Sequence, residues 1–299
     1  MVRSVTSSFA PAVIIPAYGR IDATRRCLAS LRTAGARRPI LIDDCGTAGG
    51  DVLAAENGDL DVITTATPVW WTGAIVLGLA RAMERGDRLF LLFNQDVTAA
   101  PDYLERLEET ERRHRGALIG STVLYATEPR RVWSAGGTVE WFARGIRVSH
   151  YGADIDSLPR EPFAVDWLPG MGTLVPAEVI RRIGTLDADR FPMAWADADF
   201  TLRARRHGIP IVVDPKARLH HDVGAYDARV AGAPSFRTYI GWLRDGRHNI
   251  SLSAQAEIWR RHGPRGLWPL SLGMRTLVLL ANYLRIRMLY PASGGRGVA

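Results

Sequence analysis

Along the first third of the chain, short unbroken apolar runs alternate with segments of helical spacing. Pro11–Ile15 predicts a buried strand closed by Pro16 and Gly19. Ile21–Arg32 carries Ala23, Cys27, Ala29 and Leu31 at the spacing of a helix. Pro39–Ile42 predicts a second strand that runs into the acidic, glycine-rich turn Asp43–Gly50, and Asp61–Thr64 a third. A helix is expected over Gly73–Arg85, and a fully buried strand over Arg88–Phe93 that ends on Asn94, Gln95 and Asp96. Pro101–Arg113 predicts a further helix, with its proline near the first turn. This rhythm predicts an α/β protein with parallel strands, crossover helices and functional loops at the carboxyl ends of the strands.

From Ala117 the rhythm changes. Ala117–Leu124, Val132–Ser134 and Val165–Leu168 are short apolar segments between glycine-rich turns, expected to be mixed or antiparallel strands completing the same sheet. Phe200–His207 predicts a helix closed by Gly208, and Ile211–Val213 a strand. Beyond residue 234, Phe236, Tyr239, Ile240 and Leu243 form a helical stripe punctuated by Arg237, Arg244 and Arg247. The expected organisation is therefore a body over 1–234 and a basic amphipathic helical extension over 235–299.

Charge sharpens that division. The 299 residues hold 38 Lys and Arg against 31 Asp and Glu, a net +7, with Lys216 the one lysine. Ser235–Ala299 contains ten arginines against Asp245 and Glu257, a net +8, so the body is close to neutral. With 47% hydrophobic residues, the composition excludes a disordered chain, a collagen-like fibre and a small disulfide-stapled module. Cys27 and Cys45 are the two cysteines, and their spacing offers neither a metal knuckle nor a disulfide framework, which favours a reducing, cytoplasmic setting. The N-terminus lacks the pattern of a signal peptide, and Leu267–Leu284, broken by Pro269, Gly273, Arg275 and Asn282, is a poor spanning helix. Flanked by Arg265, Arg275, Arg285 and Arg287, it suits the surface of an anionic membrane, with Trp259, Trp268 and Tyr290 as interface anchors. A second copy of the chain is the other partner this tail could bury against. Nucleic-acid binding is disfavoured, because the arginines interrupt apolar helix faces and the body carries no excess of positive charge.

Three acidic clusters follow apolar segments or stand at a helix start: Asp43 with Asp44, Asp96, and Asp197 with Asp199. Asp96 follows an uninterrupted apolar strand and so falls where the sheet opens. Oxygen ligands of this kind suit magnesium or manganese, which take substrate phosphates to complete their shell. His220 and His221 precede Asp222 and Gly224. Adjacent side chains of an extended chain point apart, so only one of the two histidines is expected at the same site. The GxGxxG turn, the Walker lysine and the GxSxG elbow are all absent, so hydride transfer, ATP hydrolysis and serine hydrolysis have no motif behind them.

Several ordered motifs resemble the family 2 inverting glycosyltransferases of the GT-A type, in their rhamnosyltransferase-like branch, over about residues 11–224. Val13-Ile14-Ile15-Pro16-Ala17-Tyr18-Gly19-Arg20 is similar to the opening V-I-P-x-Y-N-R turn, with Gly19 at the asparagine. Ile42-Asp43-Asp44-Cys45-Gly46-Thr47 is similar to V-D-D-G-S-T, whose carboxylate reads the nucleotide base, a role that falls to Asp44 or Asp43. Trp70-Trp71-Thr72-Gly73-Ala74 resembles the WWTG segment, with Val76 at a usual asparagine. Asn94-Gln95-Asp96 stands for the D-x-D metal motif. Val165–Thr173 resembles the segment beneath the transferred sugar and acceptor. Phe191–Gly208 resembles F-x-x-x-x-E-D-x-D-L-x-x-R-x-x-x-x-G, with Ala196 at the glutamate.

The resemblance implies a Rossmann-like, mostly parallel central sheet flanked by helices. It implies transfer from a nucleotide-diphosphate sugar, dTDP-rhamnose or a UDP-sugar, to a hydroxyl of a glycan or polyprenyl-linked acceptor at the inner face of the cytoplasmic membrane. Asp197 becomes the catalytic base, and Asp96 with His221 the ligands of Mn2+ or Mg2+. Pro16, Tyr18, Arg20, Asp43, Asp44, Trp71, Thr72, Gly73, Asn94, Gln95 and Asp96 fall to the donor. Trp167, Gly170, Met171, Gly172, Trp195 and Asp199 fall to the sugar or acceptor. The chemistry is coherent: an inverting displacement needs positive charge on the leaving diphosphate and one carboxylate to take the acceptor proton. A nucleotidyltransferase and a catalytically silent peripheral membrane protein are the alternatives. The first calls for a basic glycine-rich loop after the first strand, where Pro16–Arg20 is short.

Overall fold

The structure, a computed structural model, describes residues 9–142, 144–223 and 234–289. Gly224 and Tyr290 lie outside the described residues. A ten-stranded mixed sheet forms the centre. Its first half is parallel and built from β1 (Ala12–Ala17), β2 (Ile40–Asp43), β3 (Asp61–Thr64) and β4 (Leu89–Leu92), in the order β3-β2-β1-β4. Ile14 pairs with Ile40 on one side and with Leu92 on the other.

These strands are apolar throughout because both faces of the sheet are covered. Ile14, Ile40, Ile42, Phe90 and Leu92 point into one core. Val13, Ile15, Leu41, Leu91 and Phe93 point into the other. The period of two thus divides each run between two layers. On the second face lie α1 (Ile21–Thr33), α2 (Gly50–Glu56) and α4 (Tyr103–Arg113), which contribute Leu28, Leu53 and Leu107. On the first lies α3 (Trp70–Glu84). Gly78 lets it approach closely, since a Cβ there would meet Ile14 Cγ2 at 2.2 Å.

The second half of the sheet is mixed, as the change of rhythm after Ala117 predicts. β6 (Leu118–Tyr125) runs parallel to β12 (Ile211–His221), and β11 (Thr173–Pro176) lies antiparallel between β4 and β6. β5 (Val97–Ala99) and β10 (Phe163–Ala164) pair with β12, and β7 (Val132–Ala135) with β6. A separate hairpin joins β8 (Gly137–Glu140) to β9 (Gly145–Val148). The strand expected over Val165–Leu168 does not form; a lone bridge from Trp167 to Gly137 replaces it, because the chain turns inward there to seal the core. β12 runs on to His221 through an irregularity between Asp214 and Arg218, and so carries both histidines that the sequence places after a strand.

α5 (Ala177–Ile183) and α6 (Ala196–Arg206) join the first face. α6 begins at Ala196 rather than Phe200, which puts Asp197 and Asp199 in its first turn, where a carboxylate meets free backbone N–H groups. α3 likewise begins at Trp70 rather than Gly73. Three helices follow: α7 (Phe236–Arg244), α8 (Leu252–His262) and α9 (Trp268–Leu289). Of the extension expected from residue 235, α8 is built into the body. Trp259 is fully buried against Trp141 and Trp195, its indole N–H bonded to Ser271, so it packs in the core rather than serving as an interface anchor.

Candidate active site

The carboxyl ends of β1, β2 and β4 open on one side of the sheet, and the loops that leave them hold one another in place. Gln95 binds the chain after β1 through both amide atoms: its Nε2 donates to the Tyr18 carbonyl at 2.9 Å and its Oε1 accepts from the Tyr18 N–H at 3.2 Å. Thr24 donates to the same oxygen, and the Gly19 N–H donates to Thr47 Oγ1. Pro16 lies half-buried in β1, while the Tyr18 ring is 64% exposed above this frame. Arg20 sits in the left-handed region at φ 52° as it caps α1, a strained conformation held by its surroundings.

Neither carboxylate of the Asp43–Asp44 pair is free. Asp43 accepts from the N–H groups of Ala48 and Gly50 at 2.8 and 2.7 Å and fixes the turn into α2. Asp44 accepts from Thr65 and from the N–H groups of Val69 and Trp70, tying the loop after β3 to the start of α3. Both side chains are buried and are spent on holding these turns. Thr72 is also buried and consumed, donating its hydroxyl to the Phe191 carbonyl at 2.6 Å, and Gly73 follows it within the helix.

At the polar end, Asp96 is gathered with Arg20, His221 and Asp222. Arg20 Nη1 is 3.6 Å from Asp96 Oδ2, and its Nη2 is 3.5 Å from Asp222 Oδ2. His221 Nε2 stands 3.7 Å from Asp96 Oδ2, and its ring meets Trp133 edge-on at 5.0 Å. His221, not His220, therefore faces Asp96. Asp96 Oδ1 and His221 Nδ1 are buried without a hydrogen-bond partner. Among the described residues no group of three or more His, Cys, Asp and Glu is placed so that together they could hold a metal ion. The protein thus offers two adjoining donor groups with unsatisfied atoms. This suits a divalent ion that keeps most of its shell for water and phosphate oxygens.

A cavity of about 400 Å3 adjoins this end. Trp71, Trp133, Trp167 and Trp195 line it, with Asn94, Met171 and Asp197. Asn94 Oδ1 accepts from the Trp71 indole at 2.8 Å, and Trp167 donates to the Arg147 carbonyl. Gly170 must be glycine here, since a Cβ would lie 2.2 Å from Cη2 of Trp71. Gly172 follows at φ 74° in the turn that brings the chain into β11. Trp195 caps α6 in the left-handed region at φ 76° and donates to the Asn249 carbonyl at 2.9 Å.

Among the described residues, Asp197 is the one carboxylate lining the cavity. Its Oδ2 accepts from the Gly170 N–H at 2.9 Å and its Oδ1 from the Ala198 N–H at 2.8 Å. Burial pushes its carboxyl above the ordinary carboxylate range, against the pull of those two bonds. Asp199 is elsewhere. It is fully buried, with Oδ2 bonded to Arg203 and Oδ1 to Arg261 and His262, so it locks α6 to α8 instead of facing sugar or acceptor.

The sequence-derived set therefore divides. Arg20, Asn94, Asp96, His221, Trp71, Trp167, Gly170, Met171, Trp195 and Asp197 surround the polar end and the cavity. Asp43, Asp44, Thr72, Gln95 and Asp199 build the frame. Trp133, Asn249 and Arg275 were missed as site residues, since each comes from a distant element and no local spacing marks it; Asp222 was passed over although its place beside His221 was the signal that could have found it.

Residues 12–160 match the profile of the family described as Glycosyl transferase family 2. An undecaprenyl-phosphate mannosyltransferase of Micrococcus luteus is 27% identical over 216 residues, which is 71% of this chain and 84% of that protein. In fold, the chain is similar to the crystal structure of GalNAc-T7 with UDP, GalNAc and Mn2+, at a TM-score of 0.59 and 13% identity. That similarity covers 95% of this chain but only 58% of the other, so the chain spans little more than half the length of that protein.

Proposed function

The chain belongs to glycosyl transferase family 2 and has the GT-A fold, and from that premise we propose a metal-dependent, inverting transfer of a sugar from a nucleotide-diphosphate donor to a hydroxyl of a glycan or lipid-linked acceptor. The observation that carries this reading is Asp197: a single carboxylate, with its basicity raised by burial, inside an aromatic cavity that adjoins Asp96 and His221. In the proposed step, the acceptor hydroxyl gives its proton to Asp197 as its oxygen bonds to the anomeric carbon. The bond from that carbon to the diphosphate oxygen breaks, and the nucleoside diphosphate leaves. Asp96 and His221 would hold Mn2+ or Mg2+, which supplies positive charge against the leaving diphosphate. Arg20 stands beside them to add a fixed positive charge. The tryptophan walls offer apolar faces for a sugar ring and exclude water.

Family membership favours glycosyl transfer over nucleotidyl transfer. The proposed donor is dTDP-rhamnose or a UDP-sugar. The relative's name supplies a mannose donor as the competitor, and also a lipid phosphate as an acceptor class. A thermal-shift screen of these donors with and without manganese, on wild type and Asp96→Asn, tests the reading. One nucleotide sugar should stabilise the wild type with manganese and lose that effect in the variant. Stabilisation that is indifferent to both manganese and Asp96 overturns the metal assignment.

The proposed acceptor side faces an anionic membrane surface on the cytoplasmic side. Leu270, Met274, Leu277, Leu284 and Met288 form one exposed apolar stripe along α9, and Arg265, Arg285 and Arg287 are exposed beside it. Among the described residues no helix is long and apolar enough to cross a membrane. Leu277 and Leu284 are 67% and 50% exposed, so Leu277→Glu with Leu284→Glu should leave the fold intact and abolish co-sedimentation with phosphatidylglycerol vesicles. Equal sedimentation of both proteins rejects the surface.

A further inference from the structure

One group on the cavity wall takes no part in the chemistry above. Arg275 reaches the cavity from α9, passing beneath the turn between β8 and β9. The turn leaves it room: a Cβ on Gly145 would stand 3.2 Å from Arg275 Cδ. Its Nη1 donates to the Arg144 carbonyl at 3.0 Å, while its Nε is buried and has no hydrogen-bond partner. Burial and repulsion by Arg147 lower its pKa, and Tyr239 is the neighbour that acts in the other direction.

The contrast with nearby arginines is informative. Arg203 pairs with Asp199, and Arg261 pairs with Asp187, Asp199 and Glu257. Arg275 has no such carboxylate among the described residues. A partly buried guanidinium with an unmade N–H bond is unfavourable until an anion completes it. Its planar fork is suited to two oxygens of one group.

We infer that Arg275 binds a phosphoryl group carried by the acceptor, at the place where a lipid chain leaves the cavity for the outer face of α9. The inference rests on the reading of Asp197 as the base that receives the acceptor hydroxyl. The donor's own diphosphate is accounted for at Arg20, Asp96 and His221. The anion at Arg275 therefore enters with the other substrate. α9 presents Arg275 inward and Leu270, Met274 and Leu277 outward, so one helix offers a cation to the phosphate and an apolar stripe to the chain attached to it.

The cavity's tryptophans give a readout that needs no turnover. Full-length wild type and Arg275→Gln are titrated with farnesyl phosphate, farnesol, inorganic phosphate, UDP and dTDP while tryptophan fluorescence is followed. Farnesyl phosphate should bind the wild type, farnesol should not, and inorganic phosphate should bind only weakly. In Arg275→Gln, farnesyl phosphate binding should weaken about 10- to 100-fold, with nucleotide binding unchanged. Arg275→Lys, which keeps the stem and the charge but lacks the fork, should fall between the two and serves if the glutamine variant does not fold. A merely structural arginine would lower the melting temperature when replaced, whereas Arg275→Gln should melt at or above the wild type.

Equal binding of farnesyl phosphate by wild type and variants overturns the inference. So does equal binding of farnesol and its phosphate, or a loss confined to UDP and dTDP, which would assign the arginine to the donor. If no nucleotide or nucleotide sugar binds the wild type while farnesyl phosphate still depends on Arg275, the glycosyl-transfer reading fails and the phosphate site stands.

Discussion

Replacing Asp197 by asparagine removes the proposed base with little change in volume, and the structure sets the size of the effect. General base catalysis is worth about 10²–10⁴-fold, or about 3–5 kcal/mol of barrier. A second consequence is structural. The two carboxylate oxygens accept from Gly170 and Ala198, and an amide can accept at only one of those places. One backbone N–H loses its partner, at about 1–3 kcal/mol of stability. Against this, the variant sheds a partly buried charge whose pKa is raised by burial. Because the folded protein holds that proton more tightly than the unfolded chain, this charge makes wild type lose stability as pH rises through the raised value. The wild type and Asp197→Asn should therefore differ least in stability above that range. The assay is turnover at saturating donor and acceptor with manganese, beside donor affinity by calorimetry. Turnover should fall by the stated factor, with donor affinity retained. The wild-type kcat/KM should also fall on the acid side, with a midpoint above the ordinary carboxylate value of about 3.9. Wild-type turnover in a folded, donor-binding Asp197→Asn protein refutes the reasoning.

Three further predictions concern the frame. Asp199→Ala leaves Arg203, Arg261 and His262 without their shared carboxylate and should cost about 3–5 kcal/mol, read by urea denaturation. Burial opposes ionisation of Asp199, but the His262 bond and the Arg203 charge still hold its pKa below the usual range. Its contribution is thus present at neutral pH and lost as pH falls through the depressed value, and wild type should lose its advantage over Asp199→Ala in acid. Trp259→Ala should cost about 3–5 kcal/mol and lower the melting temperature of the whole chain in one transition, since its ring is fully buried in the core shared with α3 and α6. Gly78→Ala forces α3 away from Ile14 and Ile42 and should cost about 1–3 kcal/mol, with kcat reduced because Trp71 and the Asp44 contacts ride on the same helix.

Much of the fold was legible because its signals are local. The apolar runs that become β1, β2 and β4 are short, uninterrupted and separated by helical periods, and a strand buried on both faces produces that pattern. β11 was not legible, since its partners β4 and β6 lie far away in sequence, and the β8–β9 hairpin was not, since its strands carry no unbroken apolar run. The starts of α3 and α6 were placed late for a related reason. The Asp44 bonds that cap Trp70, and the left-handed Trp195 that opens α6, are tertiary features that residue spacing does not record.

By itself the sequence determined the layered α/β architecture, the positions of Asp96 and Asp197 after a strand and at a helix start, and the concentration of arginine in the tail. Only the tertiary structure decided which acidic residues remain available. Asp43, Asp44 and Asp199 look like Asp96 and Asp197 in sequence, but they are buried away from the cavity and spent on holding turns and helices together, whereas Asp197 lines the cavity while accepting from two backbone N–H groups and Asp96 keeps one oxygen without a partner. The tertiary structure also brings Asn249, Ile250 and Arg275 of the basic tail into the cavity wall. It buries Trp259, pairs Arg261 and leaves Arg275 open. The physical reason is the same in each case. A side chain's chemistry depends on whether its hydrogen bonds and charge are already matched, and matching is a property of neighbours in space.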